Sequence, residues 1–277
     1  METKNIGLRN IEVADTKISA IDGINGKLIY RGYDVLDLVK KSNYEETACM
    51  LLNDDLPSKH MLSEFFEKLV ARREIPSVIE RNLKNLPKTA NPMDVLQSCV
   101  AELALYDKEK SDDRTTNYHR AIDLIAKIPT IVAYWDRIRN DKEPVKPSKK
   151  LDHADNFLYM LTGKEPDKEL ARIFDICLIL HAEHSFNAST FAAREVASTR
   201  AHMYAAVSAA IGALSGELHG GANFKVTQML LEIKTEDRVE SWIKERLSQG
   251  KKIMGMGHAV YKTFDPRAEV LRELSKR

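Results

Sequence analysis

Ten residues, Ala205–Leu214 (Ala-Ala-Val-Ser-Ala-Ala-Ile-Gly-Ala-Leu), set the strongest limit on what this chain can fold into. None of them is charged, and a helix facing water would carry charges. The segment therefore belongs at the centre of the structure, in the core or in a subunit interface, where its small side chains let a partner helix approach closely. The apolar spacing elsewhere is helical too. Leu62, Phe65, Phe66, Leu69 and Val70 fall at i, i+3, i+4, i+7 and i+8, one face of an amphipathic helix. Leu170, Ile173, Phe174, Cys177, Leu178 and His181 repeat that pattern behind Asp167, a natural N-cap. Pro57, Pro76, Pro87, Pro92 and Pro129 are expected to break the chain between further helices. Strand-like sequence is confined to residues 11–31, where Ile18–Ile21, a turn around Asp22-Gly23 and Asn25-Gly26, and Leu28–Tyr30 read as small hairpins. The expected class is all-α with a minor N-terminal β-hairpin.

Composition narrows the function classes. The 277 residues carry 42 Lys+Arg against 41 Asp+Glu, a formal charge of +1, which argues against a broad nucleic-acid footprint. The short basic run Lys146–Lys150 reads as a solvated loop. Cys49, Cys99 and Cys177 are odd in number and widely spaced, as buried thiols in a reducing compartment would be. The N-terminus lacks a signal-peptide pattern, and no apolar run approaches ~20 residues. A cytoplasmic protein without membrane contact is expected.

Three segments carry the candidate histidines, two of them among glycines. Gly216-Glu-Leu-His219-Gly-Gly-Ala-Asn223 follows the small-residue helix, and its glycines permit close backbone approaches around His219. A plain helix terminator would explain the same glycines. In His181-Ala-Glu-His184, the histidines read either as a core residue and a helix cap or as ligands. They lack the His-Glu-x-x-His pattern of a metalloprotease, and no metal is expected. Gly255-Met-Gly257-His258 has Val260 where a dinucleotide fingerprint needs its third glycine, so it reads as a tight loop with His258 facing whatever it encloses. Asp265-Pro266-Arg267 is a helix start, and an arginine there favours carboxylate or phosphate.

Together these segments resemble the citrate synthase family, especially its archaeal and Gram-positive branch, which includes 2-methylcitrate synthases. The likeness runs nearly the whole length. It includes Asp22–Tyr33, Leu51–Pro57, Asn91–Leu96, Lys127–Val132, His153–Leu161 and Asn187–Thr190, and it is most specific at Leu218–Asn223 and Gly257–Arg267. The resemblance implies a two-domain helical fold, with residues 1–218 as the large domain carrying the dimer helices and 219–277 as the start of a small domain. It implies condensation of acetyl-CoA with oxaloacetate to citrate and CoA through an enol(ate), by a homodimer that needs no cofactor beyond its substrates. His219 would stabilise the thioester enol(ate), His258 would polarise the ketone, and His184 and Arg267 would hold the oxaloacetate carboxylates. Backbone groups of Ile253, Met254, Gly255 and Gly257 would meet the CoA adenine, and Lys262 a phosphate.

The sequence also departs from the family pattern. The family's proton-abstracting aspartate and further arginines lie beyond the Asp-Pro-Arg helix, so the small domain is expected to be incomplete and this chain impaired on its own. The alternatives are a propionyl-CoA-using 2-methylcitrate synthase and a non-catalytic homologue that binds oxaloacetate or CoA or acts as a dimeric scaffold. Glu217 stands where Pro is expected, Arg200-Ala-His202 where a Ser/Ala-Asp pair is typical, and Asn91 where His is common. A carboxylate at Glu217 would either raise the pKa of His219 or point into solvent.

Overall fold

The computed structural model describes residues 13–257 and 260–276. Helices dominate it, with one small sheet at the N-terminal end. β1 (Ser19–Asp22), β2 (Lys27–Tyr30) and β3 (Tyr33–Asp34) form an antiparallel sheet in chain order. Ser19 pairs with Tyr30 and Asp22 with Lys27, so the turn falls on Gly23–Gly26, where Asp22 accepts from the Ile24 and Asn25 N–H groups.

Six helices run from the sheet to the middle of the chain: α1 (Val35–Lys41), α2 (Tyr44–Asn53), α3 (Lys59–Arg72), α4 (Ser77–Asn85), α5 (Pro92–Leu103) and α6 (Arg114–Arg139). Seven follow: α7 (His153–Thr162), α8 (Lys168–His181), α9 (Ala188–Ser198), α10 (Met203–Leu214), α11 (Gly221–Ile233), α12 (Val239–Ser248) and α13 (Pro266–Leu274). Most starts are capped as the side chains dictate. Asp34, Asn43, Ser58, Asn91, Asp113, Asp167, Asn187 and Asp265 each accept a backbone N–H at the head of their helix. His202 does the same for α10, its Nδ1 accepting the Ala205 N–H at 3.1 Å, so imidazole fills the role expected of an aspartate.

The core has three parts. α4, α5, α6 and α10 share one cluster around Val100, Ile131 and Trp135, and α2, α3 and α6 share another around Phe65, Leu69 and Ile122. The third joins Leu28, Tyr30, Val35, Met50, Ile179 and Leu180, with Val270, Leu271 and Leu274 of α13 packed on it. α10 lies between α9 and α5 and meets α5 closely: a Cβ on Gly212 would stand 2.7 Å from the Gln97 amide nitrogen. The close approach expected of the small-residue helix is thus made within one chain.

Three expectations change. Pro129 lies inside α6 and breaks nothing; the helix continues through it because Ile131 and Thr130 are fully buried and Thr130 bonds the Arg73 carbonyl at 2.7 Å. The buried face of α8 is Ala171, Asp175, Ile176, Ile179 and Leu180, while Leu170 and His181 are exposed. The helix is apolar on two sides: Phe174 stacks on Phe157 of α7, and the opposite side meets the sheet and α1. The Lys146–Lys150 loop is anchored as well as solvated, for Ser148 accepts from Arg73 and donates to Asn156.

Candidate active site

The connection between α8 and α9, residues 182–187, together with the first turn of α9 as far as Ser189, is the hub that holds the histidine segments. His184 is half-buried there, and its Nε2 lies 3.3 Å from the Tyr261 hydroxyl, with the two rings edge to face. Five residues on, Ser189 in the first turn of α9 meets His219: Ser189 Oγ is 2.8 Å from His219 Nε2. One short segment therefore touches both the turn that presents His219 and the loop that leads to Arg267.

The His219 turn is shaped by its glycines. His219 donates its N–H to the Gly216 carbonyl, Gly220 to that of Leu214 and Gly221 to that of Gly216. A Cβ on Gly220 would stand 2.2 Å from the Leu214 carbonyl oxygen, so no other residue fits without moving the turn. Glu217 does not press on His219. Its carboxylate is exposed and ion-paired with Lys225 of α11, which holds it below the usual carboxylate range.

Arg267 lies in the first turn of α13, where Asp265 caps the helix and Pro266 takes the first helical position. Asp265 grips the guanidinium bidentately, with Nε–Oδ1 at 3.0 Å and Nη2–Oδ2 at 2.7 Å. Burial opposes the arginine's charge, but the bond to Asp265 and its field outweigh it and raise the pKa. Tyr261 is buried nearby, and burial followed by the Asp265 charge pushes its hydroxyl pKa up.

Gly255 and Gly257 both take left-handed φ values (+81° and +84°), which gives the tight loop its shape. Ile253 and Met254 are half-buried beside it. Lys262 has an exposed side chain, while its N–H donates to the Gly23 carbonyl at 2.7 Å. His258 lies outside the described residues. Ser189 and Tyr261 stand inside the sequence motifs quoted above but received no role there, because nothing in the sequence joins them to His219 and His184. Among the described residues no three His, Cys, Asp or Glu side chains are grouped to hold a metal ion, and no helix is long and apolar enough to cross a membrane.

A mostly helical fold with a small N-terminal sheet, and His184 and His219 presented on two inter-helix turns, defines the class. The chain belongs to the citrate synthase family: the family model "Citrate synthase, C-terminal domain" matches residues 7–277. It is 44% identical to a citrate synthase of Synechocystis over 98% of this chain and 68% of the relative. It is 40% identical to a citrate/2-methylcitrate synthase of Bacillus subtilis, over 96% of this chain and 72% of the relative. Among solved structures, a Thermoplasma acidophilum citrate synthase in ternary complex with carboxymethyl coenzyme A and oxaloacetate superposes with a TM-score of 0.91. It is 31% identical, and the match covers 97% of this chain and 71% of that one.

Proposed function

We propose that this chain binds oxaloacetate and an acyl-CoA thioester and joins them as a citrate synthase does: the methyl carbon of acetyl-CoA bonds to the ketone carbon, and water then cleaves the thioester to give citrate and free CoA. The observation that carries this reading is the hub at residues 182–189, which contacts Tyr261 through His184 and His219 through Ser189. With Ser189 on Nε2, the other ring nitrogen of His219 faces the substrate. If the serine hydroxyl donates, Nδ1 carries the proton and can donate it to the thioester carbonyl oxygen. That oxygen gains charge as the α-proton passes to a base, an aspartate in the family's reaction, and one positioned donor at such an oxyanion is worth ~3–4 kcal/mol.

His184 and Arg267 take the oxaloacetate carboxylates in this reading. Asp265 holds two nitrogens of Arg267 and so aims the remaining Nη1 end. His258 polarises the ketone, the backbone of Ile253–Gly257 meets the adenine, and Lys262 meets a phosphate. The division at 218/219 belongs to the same reading. It is supported by α11, where Ile233 is the buried residue, and by α12, which buries none, although α13 packs back on α8. A homodimer across α9 and α10 fits too. α9 buries no residue despite its apolar composition, and a cavity of about 500 Å³ beside it is lined by Ala193, Ala197, Ala206 and Ala210. A cytoplasmic setting suits the free thiols of Cys49, Cys99 and Cys177.

The test is CoA-thiol release by the purified chain with oxaloacetate and acetyl-CoA, run beside calorimetric titration of oxaloacetate. Turnover that His219→Ala abolishes supports the reading. Binding without turnover leaves the ligand-binding non-catalytic homologue, and neither binding nor turnover refutes both and leaves only a dimeric scaffold. Propionyl-CoA is the second substrate to try, since the Bacillus subtilis relative is named for both reactions. One methylene in an acyl pocket shifts preference by only ~1–3 kcal/mol.

A further inference from the structure

The hub is itself gripped by the N-terminal hairpin. Glu183 Oε1 accepts from Ser19 Oγ of β1 at 2.9 Å and from the Ser185 N–H at 2.5 Å. The Glu183 N–H reaches the hydroxyl of Tyr30 in β2 at 3.4 Å, and that buried hydroxyl bonds the Leu180 carbonyl at the end of α8. Ser185, directly after His184, sits at φ +55°, a left-handed conformation that a non-glycine residue holds only when its surroundings impose it. The carboxylate of Glu183 accepts the Ser185 N–H in this conformation and so helps to hold it.

The turn of the same hairpin grips the second substrate segment. Gly23 accepts from Lys262 N–H, and a Cβ on Gly23 would stand 2.5 Å from the Val260 carbonyl oxygen. Gly26, at φ +65°, also lies close to this segment: the Phe264 carbonyl oxygen would stand 2.9 Å from its would-be Cβ. One rigid two-stranded element thus spans the turn that carries His184 and the loop that leads into Arg267.

We propose that Glu183 is a positioning residue for the oxaloacetate site. It locks the His184–Ser185 turn onto the hairpin, which in turn sets the distance from that turn to the Val260–Arg267 segment. The inference rests on the functional reading above. Both side-chain bonds converge on Oε1, so the residue acts through that acceptor oxygen.

The test is calorimetric titration of the full chain with oxaloacetate and, separately, with CoA, for wild type, Glu183→Ala and Glu183→Gln, with thermal unfolding alongside. Glu183→Ala should weaken oxaloacetate binding roughly tenfold, the upper scale of one net hydrogen bond, and leave CoA affinity unchanged. Glu183→Gln, which keeps an acceptor in place, should restore most of the affinity. Wild-type oxaloacetate affinity in Glu183→Ala overturns the positioning role and leaves the functional reading standing. Equal weakening of both ligands in both variants, in step with melting temperature, marks a merely structural residue and overturns it as well. No oxaloacetate binding by wild type removes both. If Glu183→Ala does not fold, Ser19→Ala deletes one of the two bonds alone. It should weaken oxaloacetate binding severalfold with CoA unaffected, and unchanged affinity refutes the proposal.

Discussion

Replacing Glu45 by Gln should give the protein a pH dependence that the wild type conceals. Glu45 of α2 is buried, 3% exposed, and its Oε1 accepts the His153 N–H at the start of α7 at 2.6 Å. The cap residue of α7, Asp152, makes no side-chain bond of its own, so Glu45 serves that helix from a distance. Burial, reinforced by Asp152 and Asp175, pushes the Glu45 carboxyl from 4.5 up to about 7. The His153 ring lies against Tyr44 and is pushed from 6.5 down to about 3 by burial and by Arg73.

The two residues act on stability with opposite signs. Between 4.5 and 7 the folded state holds a proton on Glu45 that the unfolded chain has released, so stability falls as pH rises, by about 1.4 kcal/mol per pH unit. Between 3 and 6.5 the unfolded chain holds a proton on His153 that the folded state lacks, so stability rises with pH at the same slope. From about pH 4.5 to 6.5 the contributions cancel. Glu45→Gln keeps the acceptor for His153 and removes one slope; relative to wild type it should gain up to ~3 kcal/mol between pH 4.5 and 7.5. That figure is an upper end, because Arg73, fully buried, is attracted to the ionised carboxylate. His153→Phe should unmask the falling slope instead. Urea unfolding of the three proteins at half-unit pH steps reads both differences. Parallel profiles would refute the reasoning, since they would mean that neither group changes its proton affinity on folding.

Two glycines that look alike in sequence should behave differently. Gly212→Ala meets only the movable end of Gln97 and should cost less than ~1 kcal/mol. Gly220→Ala meets the Leu214 carbonyl and should cost ~1–3 kcal/mol in thermal unfolding. Equal effects would mean that the His219 turn is soft. Ser189→Ala should leave oxaloacetate affinity intact while changing the tautomer balance of His219, read by nitrogen NMR of the imidazole, and lowering turnover about tenfold. An unchanged spectrum would show that the serine does not orient the ring.

Helix and hairpin positions were legible because they follow from local rules: apolar spacing, capping side chains, and the Asp22–Gly26 turn. Pro129 misled because a buried helix can absorb a missing hydrogen bond when its neighbours fix it, and sequence does not say which helices are buried. The face of α8 misled because an apolar residue occurs on nearly every side of it, so periodicity alone could not choose. His202 was noticed as a departure, yet its capping role needed coordinates. Motif residues such as His184, His219 and Arg267 could be nominated from the sequence. Asp265 stands in the same motif as Arg267, but the other groups that hold them, Ser189, Tyr261 and Glu183, could not be matched to them, because Ser19 and Glu183 meet across 164 residues and His184 and Tyr261 across 77.

Those separations bear on the order in which the molecule assembles. The hairpin is synthesised before α8 and α13, but its buried Tyr30 needs α8 and its turn needs the Val260–Phe264 loop. Contacts of such span close large loops, and their entropy must be met before they return any stability. The two-stranded element therefore waits, with Leu28 and Tyr30 uncovered, until α8 has formed, and it is completed only when α13 docks. The sheet precedes α8 and α13 in the chain yet should settle after them, and a chaperone that shields it in the interval should raise the yield of folded protein.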